Sequence, residues 1–254
     1  VVQVGSGKLE YPFEGKGHIQ ADGVPWVGKY FDATDKTIRV CTTDAYTDNY
    51  RERRQYAQTG YYGAMGNYWI FGDTALQRRY LIQTAEEQEA NGIMPAYAPL
   101  KSDDYMIILD SNLLWIRSLY QYFLFSGDQI TTQKLMGSAL KLMALIHSFT
   151  NDLGLINNPP YADWLDHSEL DRAGANFTLN AHYLGALEDV SQILEWLDQE
   201  EASVFRERAQ LLKSTLRTHF WNAEKGLFAD ALLEKGISYK YSEHANGMAL
   251  ALKI

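Results

Sequence analysis

Cross-links and basic charge are both scarce in this 254-residue sequence. A single cysteine, Cys41, excludes any disulfide within the chain, so stability has to come from packing. Lys and Arg number 23 against 32 Asp and Glu, a formal charge of −9, and the cations are scattered. A nucleic-acid partner is thereby disfavoured, because phosphate binding needs a basic face. No apolar run reaches the roughly 18 residues that a membrane span requires, so no membrane partner is expected either. The six histidines show no His-x-x-x-His or Glu-containing metal spacing. Asp163 with Asp166 and His167 could hold a cation, but the aromatic Trp164 stands between them, and no metal or other cofactor is expected. Gly5-Ser6-Gly7-Lys8 lacks the spacing and the following helix of a phosphate loop, and no Gly-x-Ser-x-Gly elbow exists.

Apolar residues make up 46% of the chain, with 17 Tyr and 6 Trp, enough for one sizeable core. Sugars present flat C–H faces and a rim of hydroxyls, so carbohydrate sites favour aromatic platforms beside carboxylates. A large helical core uses the same aromatics, and composition does not separate the two.

Residues 1–43 read as a short β-rich lead-in, or the end of a preceding β domain. Val1–Val4, Lys16–Gln20 and Thr37–Thr42 are β-branched runs separated by Gly5, Gly7, Gly15, Gly23, Pro25 and Gly28. Residues 44–254 read as helices in pairs. The spacing predicts helices over 53–71 and 74–90, joined at Gly72-Asp73. It predicts another pair over 105–125 and 129–149, joined at Gly127-Asp128, in each case with Gly ending one helix and Asp capping the next. A third pair covers 176–196 and about 198–220, opened by Asp198. The repeat is too uneven for a regular solenoid. Long loops over 91–104 and 152–175 fall between the pairs, and loops of such length in a compact domain usually carry function. Short turns at one end and long loops at the other describe an all-α (α/α)6 toroid with its site in the bowl under the loops. About seven helices are too few to close it. The chain also starts without Met and stops inside an apolar helical run, so further residues or domains of the same protein are expected beyond both ends. The sequon Asn176-Phe177-Thr178 reads as chance.

The densest reactive cluster runs from Thr43 to Tyr56, where the lead-in meets the first helix. Glycoside hydrolysis needs one carboxylic acid to protonate the leaving oxygen and a second carboxylate across the ring. Asp48 at a helix start is kept ionised by the free N–H groups, and Glu52 lies one turn further on. Desolvation would raise the pKa of Glu52 toward that of a working acid, while Arg51 and Arg53 pull it down. The same charges would also make an ordinary solvated helix start.

The string Thr47-Asp48-Asn49-Tyr50-Arg51-Glu52-Arg53-Arg54-Gln55-Tyr56 resembles the signature of bacterial α-L-rhamnosidases. Asp110-Ser111-Asn112-Leu113-Leu114-Trp115, followed by Tyr122 and Gly127-Asp128, is similar to that family's second-hairpin segment. Tyr161-Ala162-Asp163-Trp164-Leu165 resembles its Asp-Trp-Leu loop, and Ser242–Asn246 a segment before the last hairpins. The resemblance implies an (α/α)6 barrel and an inverting exo-glycosidase that removes terminal, non-reducing rhamnose from a carbohydrate substrate. It implies Glu52 as general acid, and Asp48, Arg51, Tyr56, Asp110, Trp115, Asp163 and Trp164 as substrate contacts. The general base is expected past Ile254, since Glu243 reads as a helix-start residue. Thr59 departs from the family pattern, which often has an acidic residue there. A non-catalytic carbohydrate-binding remnant, or a toroid glycosidase acting on another sugar, are the alternatives.

Overall fold

The computed structural model describes residues 5, 7, 9–15, 17–47, 54–100, 105–165 and 167–254. It is mostly helical: α1 (Trp26–Val40), α2 (Ala57–Ile70), α3 (Ala75–Glu86), α4 (Leu109–Ser126), α5 (Gln129–His147), α6 (Phe177–Trp196), α7 (Ala202–Phe220) and α8 (Glu243–Ala251).

Helix α1 corrects the expected β lead-in. Trp26, Val27, Tyr30, Phe31, Thr34 and Ile38 recur at three- and four-residue spacing, a helical period that outweighs β-branched propensity. The threonines adapt by bonding back along the chain, Thr34 Oγ1 to the Tyr30 carbonyl at 2.9 Å and Thr37 Oγ1 to that of Ala33 at 2.7 Å. Among the described residues, regular strands occur only late in the chain. They are β1 (Ala175–Asn176), β2 (Trp221–Asn222), β3 (Leu227–Phe228), β4 (Ala231–Leu233) and β5 (Gly236–Ile237). Antiparallel β1, β4 and β5 form one small sheet, and β2 with β3 a hairpin.

The helices sort into two layers. α2 packs on α4, α4 on α6 and α6 on α8, whereas α3 and α5 lie against each other behind them and α7 backs α6. The main core is built from buried residues of α2 to α8, including Trp115, Tyr80, Leu113, Phe177 and Phe220. A smaller one joins Phe13, Ile38 and Tyr46 to Tyr68, Phe71 and Leu76.

Short turns join the paired helices at one end. Gly72 and Gly127 take left-handed conformations, φ +67° and +66°, and end α2 and α4. Asp128 then caps α5, its Oδ1 accepting from Thr131 N at 3.0 Å. The third turn differs from expectation. Asp198 adopts φ +55° and fills the place that glycine has in the other two, and α7 opens four residues later.

Long loops enter the inner helices at the opposite end, and three of them are fastened alike. Asn112, Asn180 and Asn246 are each the fourth residue of α4, α6 and α8. The amide oxygen of each accepts from the backbone N–H of Met94, Ile156 and Phe228 respectively, at 2.8–2.9 Å. The amide nitrogen donates to the carbonyl of that same residue and to the carbonyl four residues back in its own helix. The clamped residues end matching triplets, Gly92-Ile93-Met94, Gly154-Leu155-Ile156 and Gly226-Leu227-Phe228, whose glycines all have positive φ. In each triplet the chain leaves a tight turn and is tied at once to the next inner helix.

Candidate active site

These loops gather chemistry at the N-terminal ends of the inner helices. Asp48, Arg51 and Glu52 lie in the segment 48–53, outside the described residues. The chain resumes at Arg54, whose guanidinium donates to Tyr56 Oη at 3.2 Å and lies 4.9 Å from the centre of the Tyr97 ring. Tyr56 is half-buried and meets Tyr97 edge-on, ring centres 5.3 Å apart. Gln55 Nε2 donates to the Ala98 carbonyl at 2.9 Å, which moors this strip to the 91–100 loop.

Asp110, in the first turn of α4, is only 2% exposed. Its Oδ1 accepts from the main-chain N–H of Trp164 at 2.8 Å and its Oδ2 from Gln58 Nε2 on α2 at 3.1 Å. Burial pushes its pKa above the ordinary carboxylate value, against the opposing pull of those two donors. Asp110 therefore differs from the expected open sugar contact: both oxygens are spent on the protein. Asp163 is likewise engaged. Its side chain is 8% exposed, Oδ1 faces Arg172 Nε at 3.1 Å and Oδ2 accepts from Asn176 Nδ2 at 2.6 Å. Asn176 also caps α6 through Leu179 N, so the sequon asparagine is a buried structural residue.

The two tryptophans part company. Trp164 is 45% exposed and free to present its ring, with His167 packed against it edge-on. Trp115 has no exposed surface, and its indole N–H donates to the Leu81 carbonyl at 3.3 Å. The expectation of Trp115 as a pocket wall is corrected: it lies seven residues into the helix and faces the hydrophobic core. Sequence reasoning missed Gln58, Arg172 and Asn176, which tie the site together; Gln58 and Arg172 stand in no motif, and Asn176 stands only in the sequon, which says nothing of this role. Glu243 opens α8 next to its Ser242 cap, as expected of a helix-start residue. No group of three or more His, Cys, Asp or Glu among the described residues could hold a metal ion. No helix among them is long and apolar enough to cross a membrane.

A family model described as the bacterial α-L-rhamnosidase 6 hairpin glycosidase domain matches residues 21–254. The chain belongs to this family. Solved structures of the same fold include a GH78 rhamnosidase of Bacillus sp. GL1, with a TM-score of 0.86 and 22% identity over 96% of this chain. A Klebsiella oxytoca rhamnosidase with rhamnose bound aligns with a TM-score of 0.81 and 18% identity over 94%. A Streptomyces avermitilis α-L-rhamnosidase complexed with L-rhamnose aligns with a TM-score of 0.64 and 16% identity over 85%. The chain spans 26%, 46% and 20% of the lengths of these three proteins. No curated protein matches the sequence. Membership of the rhamnosidase family agrees with the resemblance carried by Thr47–Tyr56.

Proposed function

We propose that the chain is part of a glycoside hydrolase that removes terminal, non-reducing α-L-rhamnose with inversion. Glu52 gives a proton to the glycosidic oxygen as the bond to the anomeric carbon breaks. Water attacks that carbon from the opposite face and loses its proton to a carboxylate outside residues 1–254. Asp48 and Arg51 contact the sugar hydroxyls, and Tyr56 and Trp164 wall the ring, with Asp163 at the base of the Trp164 loop. Helices α2–α8 form part of an (α/α)6 toroid. Supporting that architecture are the two-layer alternation, the short turns at one end and the long loops at the other.

The observation that carries the reading is the exposed Trp164, tied through Asp110 to Gln58 just after the Asp48–Tyr56 strip. An exposed aromatic platform is suited to an uncharged sugar, and the sequence carries Asp48, Arg51 and Glu52 shortly before Gln58. Family membership and two rhamnose-bound proteins of the same fold support the choice of sugar. The test is Glu52→Gln in the full-length protein, assayed on an aryl α-L-rhamnoside and a panel of other aryl glycosides. Turnover on the rhamnoside should fall about 10²–10⁴-fold, the usual contribution of a general acid. Near-normal turnover would remove Glu52 from the mechanism, and activity confined to another glycoside would remove rhamnose.

A further inference from the structure

Trp164 is held by its main chain. Its N–H donates to Asp110 Oδ1 at 2.8 Å, and its carbonyl accepts from Arg172 Nη2 at 3.1 Å. Each of those partners is anchored in turn. Gln58 from α2 holds the other oxygen of Asp110, while Asp163 holds Arg172 and is itself held by Asn176 at the start of α6. Asp110 of α4 and Arg172, backed by Gln58 of α2 and Asn176 at the cap of α6, thus hold the main chain on both sides of one residue, whose indole stands 45% exposed. The next residue, Leu165, has φ +42°, a conformation that costs a residue with a Cβ and persists where neighbours impose it.

We propose that Asp110 and the Asp163–Arg172 pair are positioning residues that clamp Trp164 as a sugar platform, with Asp110 acting through hydrogen-bond geometry rather than charge. This rests on the reading of Trp164 as a sugar wall. The two donors seen at Asp110 are neutral, a peptide N–H and a glutamine amide. An asparagine there keeps an oxygen for Trp164 N–H and turns its NH₂ toward position 58, where the glutamine amide can rotate to accept. The pattern survives without the charge. By contrast, Gln58→Glu sets a second carboxylate against Asp110, and Asp110→Asn combined with Gln58→Glu restores a donor–acceptor pair.

The test measures KM and kcat of the full-length enzyme on an aryl α-L-rhamnoside, with thermal unfolding followed for each variant. Trp164→Ala, Asp110→Ala and Gln58→Glu should raise KM about tenfold while kcat changes less than about threefold, the signature of lost binding shared by ground and transition states. Asp110→Asn should raise KM by less than about threefold, and the double variant should recover most of the loss from Gln58→Glu. Asp110→Asn losing as much as Trp164→Ala, or no recovery in the double variant, overturns the proposal. Should Asp110→Ala not fold, those two variants decide. An unchanged KM for Trp164→Ala would instead sink the sugar-wall reading itself.

Discussion

Asp110 and Asp128 stand at the two ends of α4, each at the start of a helix, and they live in opposite environments. Asp128 is partly exposed, and its hydrogen-bond partners are local, Thr131 three residues ahead and Tyr122 six behind, with Arg78 of α3 added as an ion-pair partner at 3.4 Å. The Thr131 hydroxyl and N–H, then the Tyr122 hydroxyl, hold its pKa down to about 2. Asp110 is buried, its partners lie 52 and 54 residues away, and burial pushes its pKa up. One residue type does two jobs. At the short-turn end a carboxylate completes its own helix. At the long-loop end it joins segments that nothing local would bring together, which is why that end can build a site.

The comparison breaks most easily at the asparagine clamps. Asn180 is wholly buried, and Asn180→Ala removes three hydrogen bonds and strands the Ile156 N–H and carbonyl. Unfolding by denaturant should show a loss of about 3 kcal/mol. Asn246 makes the same bonds from a half-buried position on a loop that the β2–β3 pairing also supports. Its replacement by Ala should cost only about 1–2 kcal/mol. Equal losses at both sites would show that burial does not set the strength of the clamp.

At the other end the effects shrink. Asp128→Ala should cost about 1 kcal/mol near neutral pH, as N-caps do. Because the folded pKa is depressed, the charge contributes stability above the unfolded value near 3.9 and loses it as pH falls toward about 2. Unfolding curves of wild type and variant should therefore converge between pH 4 and 2; a constant gap would mean the charge is irrelevant. Turn geometry closes the series. The Gly127→Ala change meets open space, so only the left-handed backbone resists it, at about 1 kcal/mol. Asp198→Gly relieves the same conformation and should stabilise by a few tenths of a kcal/mol, read as a small rise in melting temperature.

The same division separates what could be read in advance from what could not. The paired helices and the Gly127-Asp128 turn follow from period and capping chemistry within a few residues. Asp198 was misassigned because an aspartate can either cap a helix or adopt the left-handed conformation, and only the start of α7 at Ala202 decides between them. α1 was misread because its β-branched residues mask a helical period whose apolar face packs on Phe13 and Phe71. The Gly-Ile-Met, Gly-Leu-Ile and Gly-Leu-Phe triplets were visible, but their asparagine partners follow at 18, 24 and 18 residues, an interval too variable to stand out. Trp115 stands in the apolar run Leu113-Leu114-Trp115-Ile116 and Trp164 in a loop between Asp163 and Asp166, so the local context separates the two rings while the family resemblance assigned both to the sugar pocket.

By itself the sequence determined that the chain is a large, disulfide-free domain of paired helices, and the Thr47–Tyr56 string marked it as rhamnosidase-like. Periodicity, caps and turns are written in neighbouring residues, so a local reading recovers them. Tertiary structure alone decided that Asp110 faces protein rather than solvent, and that Trp164 is held by Asp110 and Arg172, with Gln58 and Asn176 behind them. Burial and long-range hydrogen bonding depend on how distant segments meet, and the chain encodes that meeting only through the packing of the whole.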